Sequence, residues 1–251
     1  VEVSVKGADI LYNIPIFGGI PITTTLVNTW LVMILITVFC IWLTKGMQVQ
    51  AKTKRQHVAE LIVMTVTNWV SENMGQQYTK KAFPPFIAAL FALSVCCSLL
   101  GLFGLYPPTA DLSTTVAWSV MVFVMITRMK IKTNKVSGYL KGFTEPVKLL
   151  TPLNIISELS TPLSMAFRHF GNIASGQVVG ILIYMALLGL NQLLFGWLPG
   201  ALGTVLSTIP FTYVGIPAIL SIYFDVFSAF MQAFIFCMLT MNYISLAAEA
   251  E

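Results

Sequence analysis

The chain has 251 residues, of which 57% are apolar and only 10% charged, with a net charge of +4 and a mean hydropathy of +0.82. So little charge spread over so much apolar sequence excludes a water-soluble domain and points to a polytopic membrane protein whose spans outweigh its loops. The length suits one membrane domain, residues 1–251, with no room for a separate soluble catalytic domain and no metal or organic cofactor expected.

In chain order, residues 1 to 20 lack a basic stretch followed by an apolar run, so no cleavable leader is expected. Residues 1–25 read as a segment outside the membrane. A first span is expected from about Leu26 to Leu43. Between Ala51 and Glu72, Val58, Leu61, Ile62, Val66 and Trp69 recur at helical spacing beside Lys52, Lys54, Arg55 and Glu60, which predicts an amphipathic helix on the membrane surface. A second span is expected from Phe86 to Leu105 and a third from Leu112 to Thr127. The last two run from about Ile155 to Leu190 and from Leu202 to Leu246. At roughly 35 to 45 residues each they exceed the ~20 of a vertical crossing and must tilt or bend. Pro162, Pro210 and Pro217 offer places to do so. The expected fold is therefore an all-α polytopic membrane protein. It has five membrane helices plus an amphipathic surface helix, and the last two form a long, tilted hairpin. Cys40, Cys96, Cys97 and Cys237 lie in apolar segments without metal-ligand spacing and read as small apolar residues.

Basic residues set an expected orientation. Lys45, Lys52, Lys54, Arg55, Lys80 and Lys81 fall in the first connection, and Arg128, Lys130, Lys132, Lys135, Lys141 and Lys148 in the third. The second and fourth connections hold none. The N-terminus is thus expected outside and the C-terminus in the cytoplasm.

The remaining cation inside an apolar segment is Arg168. An arginine in hydrocarbon costs between ~3 and ~15 kcal/mol, and its guanidinium cannot be neutralised at ordinary pH. A buried cation on these terms points to function. Ser164 and Asn172 lie one helical turn to either side of it, and Ser160 and Ser175 extend the stripe. Gly171, Ala174, Ser175 and Gly176 are small enough for another helix to approach, or simply for packing. The fifth span carries its own stripe of Ser221, Asp225, Ser228 and Gln232. Asp225 could neutralise Arg168 as a structural counter-ion. In an antiparallel hairpin turning near Gly200, however, residues whose numbers sum to about 400 share a depth. Arg168 is then level with Gln232, and Gln177 with Asp225. That sets Asp225 ~10 Å away along the axis, a distance that suits a stepping stone on a hydrated path.

The stretch Phe167-Arg-His-Phe-Gly-Asn-Ile-Ala-Ser-Gly-Gln177 resembles the arginine motif of the subunit a family of F-type ATP synthases, bacterial-like in type. Met231 to Leu246 is similar to that family's C-terminal motif, and Pro108-Thr-Ala-Asp111 fits as well. The resemblance covers most of the chain from about Asn28. It implies that residues 26–150 are peripheral helices and 151–251 an ion-channel hairpin facing a rotor ring. It makes Arg168 the essential stator arginine and matches Asn172 and Gln232 to the family's asparagine and glutamine. Gln177 and Asp225 fall on its polar half-channel positions. Three positions depart from the family pattern. His169 stands where leucine is usual, Gln177 where glutamate or histidine is, and Asp225 where histidine or glutamate is.

The implied partners are the c-ring of proteolipid subunits, subunit b of the peripheral stalk, the F1 head and the lipid bilayer, with no nucleic acid. The implied place is a bacterial inner membrane rather than a mitochondrial or thylakoid one. The implied function couples proton or sodium flow to ring rotation through two offset half-channels, without catalytic chemistry in this chain. The outer path would hold Gln177 and Asp225 with Asn172 nearby. The inner path would run by Glu158, Ser160, Ser164 and the inner end of the fifth helix, and Ser228 counts among the ion-pathway residues. Glu158 could equally be a satisfied interfacial carboxylate, and His169 a packing residue or a relay. A secondary transporter with buried charges is the competing reading, although neither internal repeats nor a substrate pocket is evident.

Overall fold

The computed structural model describes residues 7–15, 20–48, 53–78, 83–144, 147–195 and 222–249. Among the described residues six α-helices follow a small β-hairpin: α1 (Thr24–Thr44), α2 (Lys54–Met74), α3 (Phe83–Leu99), α4 (Leu112–Gly142), α5 (Thr151–Phe195) and α6 (Ser228–Glu249). A turn of wider π-helix, Ile222–Phe227, leads into α6. Among the described residues five helical segments are long and apolar enough to cross a membrane, and α2 is the remaining helix. The chain is therefore an all-α, multi-pass membrane protein with the expected number of spans. The turn near Gly200, Pro210, Pro217 and Ser221 lie outside the described residues.

The structure adds to the expected elements in three places. Residues β1 (Ile10–Ile14) and β2 (Ile20–Thr23) pair antiparallel, and Asp9 receives the Thr24 amide at 2.9 Å, which hands the hairpin directly to α1. Runs this short, one of them carrying a proline, leave no periodic signal in sequence. α4 does not stop at Thr127 but continues to Gly142 as a polar, lysine-bearing helix. It breaks at Lys135, whose φ of 59° is the left-handed conformation that a side chain disfavours. α5 runs for 45 residues straight through Pro162.

α6 sits at the centre. Ala229, Gln232, Ala233, Phe236, Cys237, Thr240, Met241, Ile244 and Ala247 are buried at three- and four-residue spacing, so one broad face of the helix is closed over by α2, α3, α4 and α5, while Phe230, Phe234 and Leu246 stay exposed. α3 contributes Ile87, Leu90 and Cys97 to this core, and α4 contributes Trp118, Val122 and Ile126. α2 divides along its length. Val58, Leu61 and Ile62 are exposed on its first half, the apolar face foreseen for a membrane surface. Its second half docks inward, with Val70 and Met74 in the core and the Trp69 ring stacked on Phe234 at 5.3 Å. The connection after α3 is tied down by polar side chains. Asp111 caps α4 by accepting from the Ser113 amide at 3.0 Å and also receives the Thr25 hydroxyl at 2.9 Å. The Asn28 amide donates to the Tyr106 carbonyl at 2.8 Å.

Candidate ion path

α5 presents the predicted stripe to the outside of the helix group. Ser164, Arg168, Asn172 and Ser175 are all exposed, as are the flanking Leu163 and Phe167. Among the described residues Arg168 forms no ion pair, with Asp225 or with any other carboxylate. A counter-ion role for Asp225 therefore finds no contact here. A Cβ added at Gly171 or Gly176 would meet nothing within 4 Å, so among the described residues no helix of this chain fills the close-approach surface that the small residues provide.

From that face, Asn172 also reaches across to α6. Its side-chain NH2 donates to Ser228 Oγ at 2.9 Å and to Gln232 Oε1 at 3.4 Å. The first pair sums to 400 in residue number, the register expected for the hairpin. Gln232 is 3% exposed, and its Nε2 has no partner among the described residues, a buried donor facing the arginine's helix. Gln177 and Asp225 are both partly buried, with no hydrogen bond between them. Asp225 lies in the π-helical turn before α6.

His169 is fully buried on the side of α5 away from the stripe. Trp118 and Phe236 meet its ring edge to face at 5.7 and 5.5 Å, and its Nε2 lies 3.3 Å from Ser94 Oγ. This is the packing role, and it fixes the rotation of α5 so that the preceding residue points outward. Glu158 is the satisfied carboxylate. Lys130 Nζ donates to both of its oxygens at 2.7 and 2.6 Å, and the Tyr139 hydroxyl lies 3.5 Å away. Sequence reasoning missed Lys130, Ser94 and Trp118 as partners. The one available signal was Lys130 itself, a lysine placed just past the apolar run of α4.

The family model described as ATP synthase A chain matches residues 26–245. The chain belongs to the ATP synthase subunit a family. It is 31% identical to ATP synthase subunit a of Desulforamulus reducens over 96% of this chain and 88% of that protein. It is 36% identical to subunit a of Albidiferax ferrireducens over 66% and 72%, respectively. It is also 29% identical to the sodium ion specific subunit a of Propionigenium modestum over 90% and 74%. Membership sets the chain in the membrane sector of an ATP synthase as its stationary ion-channel subunit and sets aside the transporter reading. Within the subunit a family pattern, the histidine in the usual leucine position is accommodated as a buried aromatic contact with a hydroxyl beside one nitrogen.

Proposed function

We propose that Arg168 is the fixed cation that separates two offset ion paths and drains the charge from a ring carboxylate passing in front of it. The observation that carries this reading is a guanidinium with no ion pair among the described residues, on an exposed face of α5 where the other polar groups are uncharged, beside glycines with open space over them. An unpaired arginine facing lipid is too costly to keep, so this face is covered by something that answers its charge. A ring of small subunits with mid-membrane carboxylates does so. A carboxylate facing lipid holds its ion because the bare anion is costly there; facing Arg168, the anion is stabilised and releases it. A membrane potential of about 100 mV then supplies ~2.3 kcal/mol per charge moved.

Residues 151–251 carry the channel, and 26–150 flank it. Gln177 and Asp225 line the outer path, with Asn172 and Gln232 leading to the arginine. Ser164, Ser160 and Glu158 mark the inner one. The further partners are subunit b of the peripheral stalk and the F1 head. The kinship with a sodium-specific relative leaves both protons and sodium as substrates. The membrane is a bacterial inner membrane. The lysine-rich ends of α4 and of the α1–α2 connection face the cytoplasm, as does the C-terminus.

Arg168→Ala is expected to abolish coupled ATP synthesis and ATP-driven pumping in an assembled complex, and Arg168→Lys to fail nearly as fully, since lysine lacks the planar fork and is able to lose its proton. Coupled activity surviving in either variant rejects the assignment. For the orientation, a cysteine replacing Asn134 should label from the cytoplasm and one replacing Thr109 from outside. Labelling of both from one side rejects it.

A further inference from the structure

Two clefts meet at one ion pair. The first, of about 320 Å³, lies between the end of α4 and the start of α5, walled by Asn134, Gly138, Tyr139 and Asn154. The second, of about 240 Å³, lies among α4, α5 and the end of α6, walled by Phe123, Thr161, Tyr243 and Leu246. Lys130 and Glu158 line both clefts, and no other residue does.

We propose that the Lys130–Glu158 pair is the gate of the inner ion path, a charged partition through which an ion passes from one cleft to the other at the Glu158 carboxylate. This rests on the proposed function of the chain as an ion path and names the residues that control its inner half. The pair is well made for a partition. Both carboxylate oxygens are held by one ammonium, and the two side chains are only 29% and 19% exposed, so salt screens the contact weakly. It is also well made for opening, because a lysine stem is flexible and its ammonium is a point charge that swings aside without leaving a fixed fork behind. An arriving cation takes the ammonium's place on the carboxylate. If it is a proton, a hydronium in one cleft gives it to a Glu158 oxygen and is left as water, and the new O–H bond then breaks to a water of the other cleft, which leaves as hydronium while the ammonium returns. The charge at the partition is the same before and after.

One wall residue of the second cleft lies between Glu158 and the arginine. Thr161 follows Glu158 on α5 and precedes Arg168 by seven residues, two turns or ~10 Å along the axis. The first cleft opens beside the break in α4. Lys135 sits there in its left-handed conformation, next to Asn134 and two residues before the serine–glycine step at Gly138. Strained backbone of this kind persists where a site requires it. A simple staple between α4 and α5 would need neither the paired clefts nor the strain.

The test uses the whole synthase reconstituted in vesicles, with Cys40, Cys96, Cys97 and Cys237 replaced by serine or alanine. Thr161→Cys and Asn134→Cys are compared for reaction with silver ion and with a small cationic thiol reagent added from the α4–α5 side. Thr161→Cys should react about tenfold more slowly than Asn134→Cys, and the gap should close when Lys130→Met and Glu158→Gln are added, as removal of an intramembrane charge barrier requires. ATP-driven pumping should fall several-fold in Glu158→Gln and be largely retained in Glu158→Asp, at equal assembly. Equal reaction of Thr161→Cys with and without the pair, or native pumping in Glu158→Gln, overturns the gate. Loss of assembly with an unchanged ratio of the two labelling rates shows a staple only and overturns it too. The underlying function stands or falls separately. If Arg168→Ala still pumps, the ion-path reading fails; if Arg168→Ala is dead while the Glu158 variants are native, only the gate does.

Discussion

In the most apolar stretch of α5, 6% of residues are buried within the protein; in the corresponding stretch of α6 the share is 44%. Both helices are long and apolar and carry a polar stripe, yet one lies at the edge of the helix group and the other at its centre. Lipid tails are as apolar as leucine, so hydrophobicity alone gives a membrane helix no reason to move inward. Shape decides instead. α6 has Ala229, Ala233, Cys237 and Ala247 on its faces, each at most 1% exposed, and four helices close around these small residues. α5 has its small residues too, at Gly171 and Gly176, but they open outward beside Arg168. Among the described residues the centre is packed by the chain itself, and the edge is the face that the proposed ring would cover.

The strongest way to break this comparison places the same large side chain on both helices. Gly171→Leu is expected to fold and assemble while losing nearly all coupled activity, because the added bulk would stand where the proposed ring passes. Ala233→Leu should cost ~1–3 kcal/mol by overpacking the core and lower the melting temperature of the purified complex. Equal thermal destabilisation by the two substitutions would mean that α5 is packed like α6, and the open face would lose its meaning.

Next in size is Asp225, the carboxylate ahead of α6. Asp225→Asn should slow ion translocation by more than about tenfold, the scale on which a proton-carrying group contributes. Asp225→Glu should retain much more activity, and Gln177→Glu combined with Asp225→Asn should recover part of the loss by moving the carboxylate across the gap. A cysteine pair at positions 177 and 225 should crosslink, whereas a pair at 168 and 225 should not. Ready bridging of the second pair would make Asp225 the arginine's counter-ion and remove it from the path.

Much of this edge-and-centre arrangement was open to sequence reasoning, and the limits have physical causes. Spans were legible because lipid imposes length and apolarity, which gave α1 to within about two residues at each end. Arg168 was legible because a permanent cation in an apolar run has no cheap structural excuse. The Asn172–Ser228 contact was not named from sequence, although it fits the depth register by which two antiparallel helices share one rise per residue. The Lys130–Glu158 pair was not legible, because it joins residues across the α4–α5 connection and depends on α4 continuing as a helix past Thr127. The burial of His169 was settled by Trp118 and Phe236 from two other helices, which periodicity in α5 does not report.

The smallest effect tests the seam where edge and centre touch. Asn172 on α5 reaches α6 through Ser228 at 2.9 Å and Gln232 at 3.4 Å. Interhelical hydrogen bonds in membranes contribute about 0.6 kcal/mol on average, because the separated helices find other partners. Ser228→Ala removes the shorter bond and leaves Gln232 to hold the amide, so coupled turnover should fall by less than about threefold, the factor that 0.6 kcal/mol corresponds to. Gln232→Ala removes the other acceptor and with it a buried amide at the arginine's own level, so it should cost more than Ser228→Ala despite the longer bond. The reverse order would show that the register places Ser228, rather than Gln232, opposite the arginine. The depth assigned to Asp225 would then shift with it by one turn.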